Sequence, residues 1–137
     1  MLVLLTPEGK VRARAILWYG LTCLDGKTWN VLDRIYSIFD HDVPLFKKWS
    51  KKNGFISKSF QNAKTEKVFD IDGEEKNLDL KIQLENWNFN YYPYLDTFKF
   101  FNEYRGTLSN SRKWNWDYCL IQSDGSLEPE PENVDED

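Results

Sequence analysis

The sequence predicts an α+β fold: a mainly antiparallel sheet, a meander plus hairpins, with one principal amphipathic helix and an acidic C-terminal tail. Three observations predict it. Short runs of alternating apolar and polar residues recur between turn sequences such as Pro7-Glu-Gly9, Asp25-Gly26 and Asp72-Gly73. One stretch, entered through Asp40-His41-Asp42 and left through Asn53-Gly54, carries helix start and stop chemistry. The last stretch, 124–137, holds seven acids and no base.

In chain order, Leu2 to Leu5 is β-prone, Thr6 to Gly9 is a turn, and Val11 to Tyr19 completes a hairpin. Asp25-Gly26 then leads into a third strand from Trp29 to Ile38, which closes an antiparallel meander. A helix follows over about 43–53, with Val43, Leu45, Phe46 and Trp49 on one side and Lys47, Lys48, Lys51 and Lys52 on the other. Phe55 to Phe60 reads as a short strand. A second hairpin joins Val68–Ile71, through Asp72-Gly73-Glu74-Glu75, to a strand in which Leu78, Leu80, Ile82 and Leu84 alternate with polar residues. The alternation changes phase near Glu85-Asn86, so a bulge is expected there, and Trp87, Phe89 and Tyr91 share the new face. Thr97 to Tyr104 reads as strand, Gly106 to Arg112 as loop, and Trp114 to Leu120 as a last strand.

A chain of 137 residues fits one domain, since a single core serves about 100–150 residues. We assign 1–125 to one α+β domain and 126–137 to a solvated, mobile tail. Six Trp, nine Phe and seven Tyr supply the core without a disulfide or metal. Cys23 and Cys119 each sit in an apolar stretch and read as core residues or lone thiols. No apolar run approaches the ~18 residues of a membrane span, and Met1 to Leu5 lacks the form of a signal peptide, so a soluble cytoplasmic protein is expected.

The net charge of −4 hides a segregation. Residues 47–67 carry seven Lys against one Glu, and 124–137 carry a net −7. Lys47, Lys48, Lys51, Lys52 and Lys58, with Trp87, Phe89 and Tyr91 as a stacking platform, form a candidate nucleic-acid surface. Against it stand the absence of Arg from that block and the low sequence pI of about 5.1. The tail acids Glu128, Glu130, Glu132, Asp135, Glu136 and Asp137 form a candidate surface for a cationic partner site.

Catalytic and metal-binding patterns are weak. The single His41 has no second His or paired Cys at ligand spacing, and any His-dependent nucleophile would have to use it. Asp70-Ile-Asp72-Gly73-Glu74-Glu75 is too short for a calcium loop and is followed by a strand, so a hairpin turn is expected. No cofactor, metal or catalytic residue is assigned.

At Arg12-Ala-Arg-Ala-Ile-Leu-Trp18, Asp33-Arg-Ile-Tyr-Ser37, Phe46-Lys-Lys-Trp49, Tyr92-Pro-Tyr-Leu-Asp-Thr97 and Leu108-Ser-Asn110, the chain resembles a group of uncharacterised bacteriophage-encoded proteins. The resemblance covers 10–58 and 92–125 and brings no functional residue with it. It implies a small protein that acts by binding, inhibiting a host enzyme or a defence complex, for example of CRISPR type. The resulting expectation is a non-catalytic inhibitor or modulator working by steric and electrostatic occlusion, with nucleic-acid binding as the alternative.

Overall fold

The computed structural model describes residues 1–61, 67–85, 97–111, 113, 119–121 and 127–129. The chain divides into two compact units, Met1–Leu78 and Asp79–Asp137. The strands of both are mainly antiparallel, and among the described residues there is one α-helix, so the α+β class holds.

In the first unit the elements are β1 (Leu2–Leu5), β2 (Val11–Ala15), β3 (Leu17–Cys23), β4 (Thr28–Leu32), β5 (Tyr36–Ser37), α1 (Asp42–Lys52), β6 (Ile56–Lys58), β7 (Val68–Ile71) and β8 (Glu74–Asn77). The β1–β2 hairpin forms as expected, because Gly9 takes a φ of +85° and its N–H reaches Thr6 O at 2.9 Å. The strand expected over Val11 to Tyr19 is cut at Ile16, and the strand expected over Trp29 to Ile38 is cut after Leu32. At both cuts the chain changes sheets: β1, β2 and β5 form a small sheet, while β3 and β4 pair in another.

Asp33 holds the two cuts together. Its N–H donates to Ile16 O at 2.9 Å, and its carboxylate accepts from Trp18 Nε1 at 2.9 Å and from the Arg34 N–H at 2.7 Å. Gln61 Oε1 accepts the next N–H, from Ile35, at 2.7 Å. Backbone groups freed by leaving a ladder are thereby paired inside the fold, as burial requires. A bulge in β3 places Tyr19 and Gly20 between the pairs Trp18–Val31 and Leu21–Trp29, and Gly20 supplies the φ of +65°.

The helix starts one residue before the expected boundary and ends one before it. Its stop is a glycine cap: Gly54 has a φ of +78°, the Phe55 N–H donates to Ser50 O at 2.8 Å, and the Phe55 ring packs 5.4 Å from that of Trp49. The buried stripe is Asp42, Phe46 and Ser50, flanked by half-buried Val43 and Trp49. Leu45, expected on that side, is exposed, because it lies about 100° round the helix from Phe46, beyond the edge of the stripe. Phe46 packs with Ala13, Ala15, Leu32, Ile35 and Phe55, so the small alanines of β2 make room for the helix aromatics.

After α1 the chain returns as β6 alongside β4 in parallel, pairing Val31 with Ile56 and Leu32 with Ser57. This crossover departs from a pure meander. β7 pairs antiparallel with β6, and β8 is the outer strand beyond β7. Asp72 and Gly73 both have positive φ, +53° and +86°, which makes them a two-residue type I′ turn. Glu74 and Glu75, expected in the turn, therefore belong to β8, and the strand containing Leu80 is a separate one.

In the second unit, β9 (Leu80–Gln83), β10 (Phe100–Asn102), β11 (Thr107–Ser109), β12 (Cys119–Ile121) and β13 (Leu127–Pro129) pair antiparallel in the order β13-β12-β10-β11-β9. The segment read as a loop from Gly106 onward contains β11, since the Asn102 side chain accepts the N–H groups of Tyr104 and Arg105 at 3.0 and 3.1 Å and closes a tight turn. Leu80, Phe98, Phe101 and Leu108 are fully enclosed. The segment read as a mobile tail begins with β13, which pairs with β12 through Leu120–Glu128. Residues 86–91, which carry the expected change of phase, and residues 114–118 of the last expected strand lie outside the described residues.

Ser109 and Asn110 explain the Leu-Ser-Asn motif locally. Asn110 Oδ1 accepts the Leu80 N–H at 2.8 Å and Ser109 Oγ donates to Leu80 O at 2.8 Å, both buried. Asn110→Ala leaves a buried donor unpaired, and we expect it to destabilise the protein by about 1–3 kcal/mol. A urea titration checks this; an unchanged midpoint would show that the clamp carries no stability.

Candidate functional site

The best-organised polar cluster of the first unit lies where β2 meets the start of α1. The β1–β2 register slips between Leu4–Ala13 and Leu5–Val11, so Arg12 is the extra residue of a bulge. Its guanidinium grips the fully enclosed Asp42 carboxylate through two N–H groups, Nε to Oδ2 at 3.0 Å and Nη2 to Oδ1 at 2.7 Å. Ser37 Oγ of β5 donates to the same Oδ2 at 2.5 Å. Asp42 thus ties β2, β5 and α1 together. Burial alone would raise its pKa, but the Ser37 hydroxyl and the Arg12 guanidinium outweigh burial, and His41 adds to them, so the carboxyl sits below its ordinary value.

His41 caps the helix without a side-chain cap bond and touches Arg12 Nη2 through Nε2. Arg12 also lies over the Phe39 ring, 4.6 Å from its centre, and the Phe39 and His41 rings are 5.4 Å apart. The arrangement is a junction and not a nucleophilic relay: Ser37 donates to Asp42, and Nε2 of His41 faces a guanidinium. Asp40 and Asp42 were legible as helix-entry acids; that Asp42 is buried beneath Arg12 was not.

Around this junction large apolar side chains stand in solvent. Ile38 is 86% exposed, and Val11, Leu5, Val3 and Phe39 are 59%, 52%, 42% and 42% exposed. They share the small sheet and the loop leaving it. Leu5 and Val11 are cross-strand partners, Val3 faces Arg14, Arg14 faces Tyr36, and Ile38 and Phe39 follow β5 directly. The residues facing the core from the same strands are Leu2, Leu4, Ala13 and Ala15.

The lysine surface is smaller than expected. Lys58 is fully buried: it lies in β6, an inner strand between β4 and β7, opposite Phe69. Lys47 is half-buried and reaches Ser59 O at 3.3 Å. Lys48, Lys51 and Lys52 are exposed as expected. Trp87, Phe89 and Tyr91 lie outside the described residues, as do Glu130, Glu132, Asp135, Glu136 and Asp137; Glu128 is exposed on β13. Asp70, singled out in the calcium-loop comparison, accepts the Gly73 N–H at 2.9 Å and so serves the turn.

Cys23 and Cys119 are both free thiols. Burial, then the charge of Glu103, pushes the Cys119 thiol upward, which disfavours its thiolate. Among the described residues no group of three His, Cys, Asp or Glu could hold a metal ion, and no helix is long and apolar enough to cross a membrane. Comparison with protein-family models, with curated proteins and with solved structures found no match.

The direction of the Asp42 shift fixes a pH dependence. A carboxyl whose pKa is lowered by folding stabilises the native state fully above its unfolded value, near 4, and loses that contribution as pH falls through the lower folded value. We therefore expect Asp42→Asn to lower the unfolding midpoint at neutral pH, with the gap from wild type closing below about pH 4. Paired denaturant curves at neutral and acid pH test this, and a gap that persists at acid pH contradicts it.

Proposed function

We propose that the chain is a non-catalytic binding protein that covers a surface of another protein. The carrying observation is the concentration of large exposed apolar side chains, Val3, Leu5, Val11, Ile38 and Phe39, on one small sheet and the loop leaving it. Large apolar side chains gathered on one exposed face mark protein contact sites more often than singly scattered ones do. The arginine junction beneath it keeps the surface in one shape, because Arg12 is fixed by Asp42 while Phe39 rests on its guanidinium. A preset surface loses little conformational freedom on binding.

The resemblance to phage-encoded proteins suggests the partner class: a host enzyme or a defence protein, CRISPR-type complexes among them, met in the host cytoplasm. Occlusion would be steric through the apolar surface and electrostatic through the acids Glu128, Glu130, Glu132, Asp135, Glu136 and Asp137.

The test is to crosslink the protein in host lysate, identify and purify the partner, and titrate it against variants. Ile38→Lys and Phe39→Ser together should weaken binding at least about tenfold, or about 1.4 kcal/mol, and Ile38→Lys alone, at a side chain that stands in solvent, should weaken it without lowering the melting temperature. Unchanged affinity would remove this surface from the mechanism. A chain ending at Pro129 tests the acids: if affinity and its salt dependence stay as they were, residues 130–137 take no part. Turnover of any substrate, lost on His41→Asn, would overturn the non-catalytic reading.

A further inference from the structure

The outward face of α1 combines charge with an apolar residue in a way that selects its occupant. Lys48, Lys51 and Lys52 are exposed, and among the described residues no carboxylate pairs with any of them. The only acid of the helix, Asp42, is enclosed and held by Arg12 and Ser37. Leu45, 53% exposed, lies three residues before Lys48 and seven before Lys52. At 100° per residue, Leu45 and the three lysines fall within an arc of about 120°. Lys51 and Lys52 complement the negative end of the helix. That role does not account for Lys48, nor for an aliphatic side chain exposed at the edge of the lysine arc.

We propose that this face docks an acidic segment of a protein partner, one that also brings a large apolar side chain to cover Leu45. The proposal rests on the protein-binding reading above and names the chemistry of the partner. Charge complementarity calls for carboxylates: three ammonium groups that pair with no carboxylate among the described residues share one arc of α1. A phosphate backbone would also satisfy the lysines, but it offers nothing to bury Leu45.

The experiment uses the full chain and two labelled probes: a short synthetic peptide of glutamates with spaced leucines, and an oligothymidine. Fluorescence anisotropy at low salt should show saturable peptide binding. Lys48→Gln with Lys52→Gln should weaken it about tenfold, and Leu45→Ala should weaken it for this peptide but not for one whose leucines are replaced by serine. Circular dichroism of each variant confirms that α1 is intact, and glutamine leaves helix propensity almost unchanged.

Absence of saturable peptide binding overturns the proposal. So does tighter binding of oligothymidine that ignores Leu45→Ala, which would make the face a phosphate surface. Self-association by light scattering that the lysine substitutions abolish would make the occupant a second copy, and equally overturns it. Ile38→Lys with Phe39→Ser should leave peptide binding unaltered, so failure of the sheet surface and failure of the helix face give separable results.

Discussion

A buried carboxylate, Asp33, allows the chain to leave one sheet for another twice at the same place. Each departure strips backbone groups of their ladder partners, and an unpaired buried donor costs about 1–3 kcal/mol. Asp33 answers with its own N–H to Ile16 and with a carboxylate that takes both Trp18 and the Arg34 N–H. Everything on the small sheet follows from this: β5 can return beside β2, Ser37 can face Asp42, and Arg12 can reach the helix start. The motif residues Trp18 and Asp33, with Arg12, accordingly have architectural roles.

Much of this was legible because it is local. The helix announced itself through its stop at Asn53-Gly54 and its lysine row, and the turns at Gly9 and Gly73 through their residue types. The sheet changes were not legible. Val11, Ala13, Ala15 and Leu17 keep one parity across the cut at Ile16, so alternation alone cannot tell one strand from two. The parallel pairing of β4 with β6 is likewise invisible in periodicity, since it depends on where α1 delivers the chain.

The functional surface shows the same division. A window of composition makes Lys58 one of seven lysines, but the strand it occupies encloses it. Leu45 was assigned to the core by a generous helical stripe, when the actual stripe is narrow and centred on Phe46. The exposure of Val3 and Leu5 was hidden for the opposite reason: an aliphatic strand predicts burial on both faces, and the small sheet covers only one; that of Val11 was hidden by the bulge at Arg12, which takes Val11 out of the alternation it shares with Ala13.

The outer strands of the first unit differ in one respect that bears on behaviour at high concentration. β8 carries Glu74, Glu75 and Lys76, all exposed, and charges along an edge repel an incoming strand. β1 is also an outer strand, yet Leu2 to Leu5 holds no charge, no proline and no bulge residue of its own. Between these two edges, that of β1 is thus the one where unwanted cross-β stacking of one molecule on the next meets less resistance, and an engineer seeking a more soluble form would begin with a lysine there.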